Sequence, residues 1–323
     1  MHIPDGLMDP IVALIGLIEF LAFISVAVYL SSKKLQEKNL PRIAVLSAGI
    51  FVAQMLNFPI GGGTTGHLIG GALLAILAGP ALAIVGMTVV LLIQALMFGD
   101  GGIASFGLNA LNMAIIAPLT GWGAYTLFKP LASRGGKVGS ELAVAAAAWA
   151  SVFIAAAACA AELAVSYAIS GGIYGIAAPV SVPTMLGYHA IIGIGEGIIT
   201  AGVIGYLMAV SAETFITSQE TTAAKNRWHG ILACRTAQAT LAVLVVFALA
   251  LPLYLLYSSQ GEDGLEKTMT DADVGEGDAL LTSPFEYGDS YFAALFAGVI
   301  GFVAVVLASL GILRIMNPMT RRE

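Results

Sequence analysis

Residues 80–98 read PALAIVGMTVVLLIQALMF, nineteen positions without one charged side chain. About 20 apolar residues cross a bilayer as a helix, and nothing here alternates as an outward-facing barrel strand would. The run therefore predicts a transmembrane helix. Comparable runs lie near residues 10–30, 41–57, 107–128, 141–170, 185–212, 231–257 and 291–313, and a shorter, Gly-interrupted one at 67–79. Together they predict an all-α polytopic membrane protein of about nine transmembrane helices. Composition agrees, with 58% hydrophobic and 11% charged residues in 323 and a mean hydropathy of +0.90, against about 25% charged in ordinary soluble chains.

Basic residues orient such a chain, because they stay on the cytoplasmic side. With the N-terminus exterior, thirteen of the fourteen Lys and Arg fall inside and only Lys267 falls outside. The polar run at 214–230 divides the chain into a seven-helix domain, 1–213, a cytoplasmic linker, and a two-helix domain, 231–323. The loop at 258–290 within that last domain carries nine carboxylates and one Lys. It reads as a solvated exterior hairpin, or as a cation-concentrating surface at the mouth of a site.

On the exterior side the chain opens Met1-His2. A free α-amine, the amide nitrogen between the two residues and the His2 imidazole nitrogen nearest Cβ form a planar three-nitrogen chelator. Strong nitrogen fields of that geometry select Ni(II) or Cu(II) over Zn(II), Mg(II) or Ca(II). The segment before the first span has no basic n-region, so no signal peptide is expected. A bulky second residue disfavours removal of the initiator, so Met1 is expected to be retained. The plainer alternative is a frayed terminus.

A fourth nitrogen is available at His67, which follows the exterior turn Gly61-Gly62-Gly63-Thr64-Thr65-Gly66. That turn resembles a phosphate loop only in its glycine spacing, because His67-Leu68 stands where Lys-Ser/Thr is needed. A second exterior loop, 99–107, holds Asp100 and leads to Asn109 and Asn112. These are candidates to orient a ligating imidazole, or to hold helices together through amide bonds. Glu19, Glu162 and Glu196 lie within predicted spans, where carboxylates are costly and are functional or partnered. His189 and Glu196, seven residues apart, share one side of their helix, with Glu196 placed in a polar network beneath the site and His189 beside it. His229 is cytoplasmic on this orientation. The two cysteines have no CxxC spacing.

MHIPDG at 1–6, GGTTGHLIGG at 62–71, GDGGIASFGLNALNMAIIAP at 99–118 and HAIIGIGEGIIT at 189–200 resemble the NikM/CbiM family. These are the substrate-capture membrane components of energy-coupling factor nickel and cobalt transporters. The resemblance covers residues 1 to about 213. The tail, with Asp263-Gly264-Leu265-Glu266-Lys267, resembles the companion NikN or PDGLE-type component, although Glu262 stands where proline is usual.

The resemblance implies capture of Ni(II), with Co(II) the alternative, through Met1, His2 and His67 in a prokaryotic cytoplasmic membrane. It implies as partners a transmembrane scaffold subunit and two cytoplasmic ATPase subunits, besides membrane lipid, and no nucleic acid. No enzymatic activity of the chain's own is expected. The competing reading is a self-contained proton-coupled secondary transporter using Glu19, Glu162 and Glu196, for which inverted repeats are expected and none is visible. A metal-dependent membrane enzyme would need a HExxH or paired-Asp motif within the spans, and neither is present.

Overall fold

The computed structural model describes residues 1–323 except 34, 62–63, 211–234, 258–260, 276, 289 and 318–323. The expected linker at 214–230 and His229 therefore lie outside the described residues.

Helix α1 (Pro10–Ser32) begins where Asp9 accepts from the Ile11 amide and Pro10 needs no donor. Next come α2 (Leu40–Gln54), a two-stranded antiparallel hairpin of β1 (Phe58–Gly61) and β2 (Thr64–Gly66), α3 (Gly71–Ala78) and α4 (Pro80–Ile93). The last of these continues through a π-helical turn to Phe98. A rod then runs from α5 (Phe106–Ala110) through a π-helical segment, Leu111–Ile116, into α6 (Ala117–Arg134). It is followed by α7 (Gly136–Ile169), α8 (Ala178–Val210), α9 (Arg235–Tyr257), the short α10 (Gly264–Asp271) and α11 (Tyr291–Met316).

Six helical stretches among the described residues are long and apolar enough to cross a membrane: Pro10–Ser32, Pro80–Phe98, Gly136–Ile169, Ala178–Leu207, Thr240–Tyr257 and Tyr291–Met316. Their outward faces are apolar, as lipid contact requires, with Ile18, Ile198, Leu249 and Phe296 exposed. The span expected at 67–79 is corrected. Its helix is only the eight residues of α3, a rise of about 12 Å against a hydrocarbon core of about 30 Å. His67 precedes it in irregular backbone rather than starting a helix.

The small residues of α7 let α6 and α8 pack closely against it, with Ala147, Ala148, Ala155 and Ala156 fully buried. The C-terminal pair shares its core with the earlier helices. Phe247 and Leu251 of α9 and Ala297, Phe302 and Val305 of α11 bury against Ala48, Phe51 and Val52 of α2 and Val89 and Val90 of α4.

One end of the bundle collects the N-terminal tail, the β-hairpin, the 99–105 loop and the segment around α10. The helix ends near Ser32, Leu40 and Met316 gather at the opposite end, where Leu35, Leu40 and Leu313 share an apolar cluster. The segment expected as a solvated hairpin at 258–290 lies partly on the tail. Thr65 of β2 donates its backbone N–H to the Glu262 carbonyl (2.8 Å), and its hydroxyl reaches the Gly261 carbonyl (3.0 Å).

Candidate metal centre

The first nine residues form a buried strap rather than a frayed end. Met1 and Ile3 are 2% and 0% exposed, and buried backbone of this kind must find partners. Asn109 supplies two of them, with its Oδ1 accepting from the Ile3 N–H (2.8 Å) and its Nδ2 donating to the Ile3 carbonyl (3.0 Å). The same carbonyl accepts from the Gly102 N–H (2.8 Å). A side chain at Gly102 would collide with the Pro4 and Asp5 backbone, so only glycine lets the loop approach this closely. Asp5 accepts from the Ala104 and Leu280 amides (2.8 and 2.9 Å), joining the tail to both covering loops. Gly175 donates to the Leu7 carbonyl (2.7 Å), and the Asp9 amide donates to Ser166 Oγ (2.7 Å).

Held this way, the Met1 α-nitrogen lies 3.3 Å from His67 Nε2 and 3.0 Å from Asp263 Oδ2. The His2 and His67 ring centres are 5.2 Å apart. His67 Nδ1 lies 3.1 Å from the Leu68 carbonyl and serves as the donor to it, leaving Nε2 as the lone-pair nitrogen facing the amine. In a planar set with bonds of roughly 2.0 Å, neighbouring nitrogens sit about 2.8 Å apart, so the observed amine–imidazole spacing is close to that needed. His2 Nδ1, the chelating nitrogen, lies 3.3 Å from Asp100 Oδ1, and the other Asp100 oxygen accepts from the Tyr287 hydroxyl (2.8 Å). The α-nitrogen and His2 Nδ1 are therefore each held by a carboxylate.

The electrostatics follow from burial. Desolvation, reinforced by the neighbouring α-ammonium, lowers the His2 imidazole from 6.5 to about 3 and that of His67 to about 4. Both rings are neutral at physiological pH, the state a metal requires. Burial raises the Asp100 carboxyl above its ordinary value. Burial is the largest single influence on Asp263 and acts to raise it, but the α-ammonium, His67 and the hydrogen bonds to the carboxylate together outweigh it and hold that carboxyl well below the usual range.

Beside this group a cavity of about 10 Å³ is lined by Met1, Gly66, His67, His189, Asp263 and Gly264, among others. That is room for about one water-sized occupant. Among the described residues no three His, Cys, Asp or Glu side chains form a metal-holding group by themselves.

The other candidates have distinct places. Asn109 clamps the Ile3 backbone and does not orient an imidazole. Asn112 is farther still, donating to Glu162 Oε2 (2.7 Å) within the membrane region. Glu196 accepts from the Ile69 and Gly70 amides (2.6 and 2.8 Å), bonding the turn two residues beyond His67. His189 is buried with Nδ1 2.8 Å from the Met185 carbonyl and its ring at the cavity wall. A Cβ at Gly264 would stand 2.7 Å from His189 Cε1, so the tail can close only through glycine there.

Asp263 and Tyr287 escaped the sequence reading. Asp263-x-x-Glu266 is visible as a capping box, and it forms: Asp263 Oδ1 accepts from the Leu265 and Glu266 amides (2.7 and 2.9 Å), and Glu266 Oε2 accepts from the Asp263 amide (2.7 Å). No local signal says that Oδ2 reaches residue 1.

Membrane-length helices enclosing, at one end, a site built on the chain's own N-terminus define a multi-pass membrane protein with a nitrogen-rich polar centre. Residues 2–214 match the family described as the cobalt uptake substrate-specific transmembrane region, CbiM, and the chain belongs to that family. Over 321 residues the chain is 35% identical to an Archaeoglobus fulgidus protein whose name describes a fused nickel transport protein, NikMN. That alignment covers 97% of this chain and 98% of the relative. The fused nickel transport protein NikMN of Rhodobacter capsulatus is 35% identical over 246 residues, 72% of this chain and 69% of that protein. A crystal structure of a transition metal transporter superposes with a TM-score of 0.60 at 37% identity, over 66% of this chain and 95% of that one. The chain is thus a nickel/cobalt transport component of the membrane.

Proposed function

We propose that the chain captures Ni(II), in preference to Co(II), from the exterior. It does so through the Met1 amine, the amide between residues 1 and 2, His2 Nδ1 and His67 Nε2. The observation that carries this reading is the 3.3 Å approach of the α-nitrogen to His67 Nε2, with Met1, Ile3 and Asp5 buried around it. Two imidazoles, an amine and a deprotonated amide make a strong planar field, which favours nickel over cobalt among divalent ions by affinity and geometry. Copper suits the same field, and its exclusion rests on availability in the cell.

The N-terminal end faces the exterior in this proposal, because the basic residues then lie inside. Nine helical segments make up the membrane region in this proposal, six of them long spans and the others, the eight-residue α3 among them, too short or interrupted to count as spans. Residues 1–213 form the capture unit, and 231–323 form a NikN/PDGLE-like pair joined by the linker at 214–230. Release to the cytoplasm is driven by a scaffold subunit and two ATPase subunits of an energy-coupling factor transporter, with ATP hydrolysed outside this chain. The setting is a prokaryotic cytoplasmic membrane.

Coexpression tests this scheme. Vesicles containing the chain, scaffold and ATPases should accumulate Ni(II) only with ATP inside the reach of the ATPases. Accumulation by the chain alone on a proton gradient would replace the scheme with a secondary transporter.

A further inference from the structure

The family match ends at residue 214, yet the carboxylate nearest the N-terminal amine comes from residue 263. We propose that Asp263 of the C-terminal segment is a positioning residue of the capture site, orienting the Met1 amine and balancing the charge of the bound metal. This inference rests on the site proposed above and assigns its fused tail a task there.

The geometry divides the work between the two carboxylate oxygens. Oδ1 is fixed by the Leu265 and Glu266 amides in the first turn of α10, and the Glu266 side chain closes the capping box from the other side. Oδ2 is thereby held rigidly, 3.0 Å from the α-nitrogen and 3.8 Å from His67 Nε2. The segment is anchored to the capture unit through Thr65, whose amide and hydroxyl both bond to backbone at 261–262. An amine donating one N–H to Oδ2 keeps its lone pair free, and His67 Nε2 lies 3.3 Å away on the same side of the nitrogen, the three atoms forming a triangle whose third edge is 3.8 Å. The carboxylate thus sets the amine's rotation toward the imidazole that shares the cation.

Charge supplies the second part. The α-ammonium carries one positive charge, and Asp263, whose side chain is 13% exposed, is its ion-pair partner. When a divalent cation binds, the amine and the amide each release one proton to solvent. The divalent ion, one deprotonated amide and three neutral nitrogens leave one net positive charge. Asp263 therefore faces the same net charge before and after capture, and a buried cationic complex is not left without a counter-charge.

The test uses the full-length chain in detergent and Ni(II) titrated against a competing chelator, with absorption recorded throughout. Asp263→Asn keeps an equally good helix cap and removes the charge. It should weaken Ni(II) binding about 10- to 100-fold, the range found for groups that support a ligand, with the planar absorption band unchanged in position. Asp263→Ser, another neutral cap, should do the same and serves if the Asn variant does not fold. Glu266→Gln, which loosens the cap but keeps the charge, should bind within about 2-fold of the parent. Parent-like affinity in both neutral-cap variants would overturn the proposal and leave Asp263 a helix cap. If His67→Ala also binds as the parent does, the site assignment itself fails. If only His67→Ala loses binding, the site stands and the role of Asp263 falls.

Discussion

Asp263 Oδ2 lies 3.0 Å from the Met1 α-nitrogen, joining residues 262 positions apart at one end of a membrane-embedded bundle. The pair belongs to a set of contacts in which three of the four proposed ligand nitrogens have a specific partner nearby: the amine has Asp263, His2 Nδ1 has Asp100, and the His67 ring is held by the Leu68 carbonyl. On the proposed reading these nitrogens are already close together, and cation binding would exchange partners more than it moves chain. Such preorganisation lowers the ordering cost of binding.

The two histidines beside the cavity should separate cleanly. His67→Ala removes a proposed ligand and should weaken Ni(II) binding by more than the roughly 10- to 100-fold lost when a group that only supports a ligand is removed. His189→Ala removes a cavity wall whose Nδ1 is engaged with Met185, and should keep the planar spectrum with a loss under about 10-fold. Competition titration of both variants checks the order.

Asn109 should matter through the tail. Asn109→Ala strands a buried donor and acceptor of Ile3 at about 1–3 kcal/mol apiece, although the Gly102 bond to the same carbonyl remains. Opening of residues 1–5 should rise at least about 10-fold, given 1.4 kcal/mol per decade. Hydrogen exchange at the Ile3 amide measures it, with α7 and α8 unchanged.

Acid should open the strap. His2 and His67 titrate at about 3 and about 4 when buried, against 6.5 when exposed. Between those values the open form takes up protons that the closed form does not, so closure weakens as pH falls from about 6.5 toward about 4. Above 6.5 these rings add no pH dependence. Asp263, held low in the closed form, contributes stability that is present above its ordinary 3.8 and lost below it, so both effects have the same sign. Protection factors for the tail amides, corrected for intrinsic exchange rates, should fall through this window, and a rise would contradict the assignment of neutral buried rings.

What the sequence disclosed was decided by how local the governing physics is. Runs such as 80–98 announce membrane helices because each residue meets lipid or a similar neighbour. The pairing of Met1-His2 with His67 was legible because chelate chemistry needs few atoms and topology placed both on one side. Glu196 was recognised as costly in a span, but its bonds to the Ile69 and Gly70 amides depend on α8 lying against the turn before α3. Asn109 was matched to the wrong partner, since a buried tail backbone competes for its amide group as well as an imidazole would. The extent of α3 was misjudged because apolar residues before Gly71 serve a buried irregular turn. Asp263 was visible only as a helix cap, because its second oxygen acts across the whole chain.

The central claim is that the terminus itself is the ligand, and absorption spectroscopy tests it most directly. The purified chain should bind about one Ni(II) and show the band of a low-spin planar complex, the geometry that strong nitrogen ligands impose. A chain extended by a single glycine before Met1 should lose that band and most of its affinity, because the amine is displaced from its place between His67 and Asp263. An extended chain with the same band and the same affinity would contradict the account.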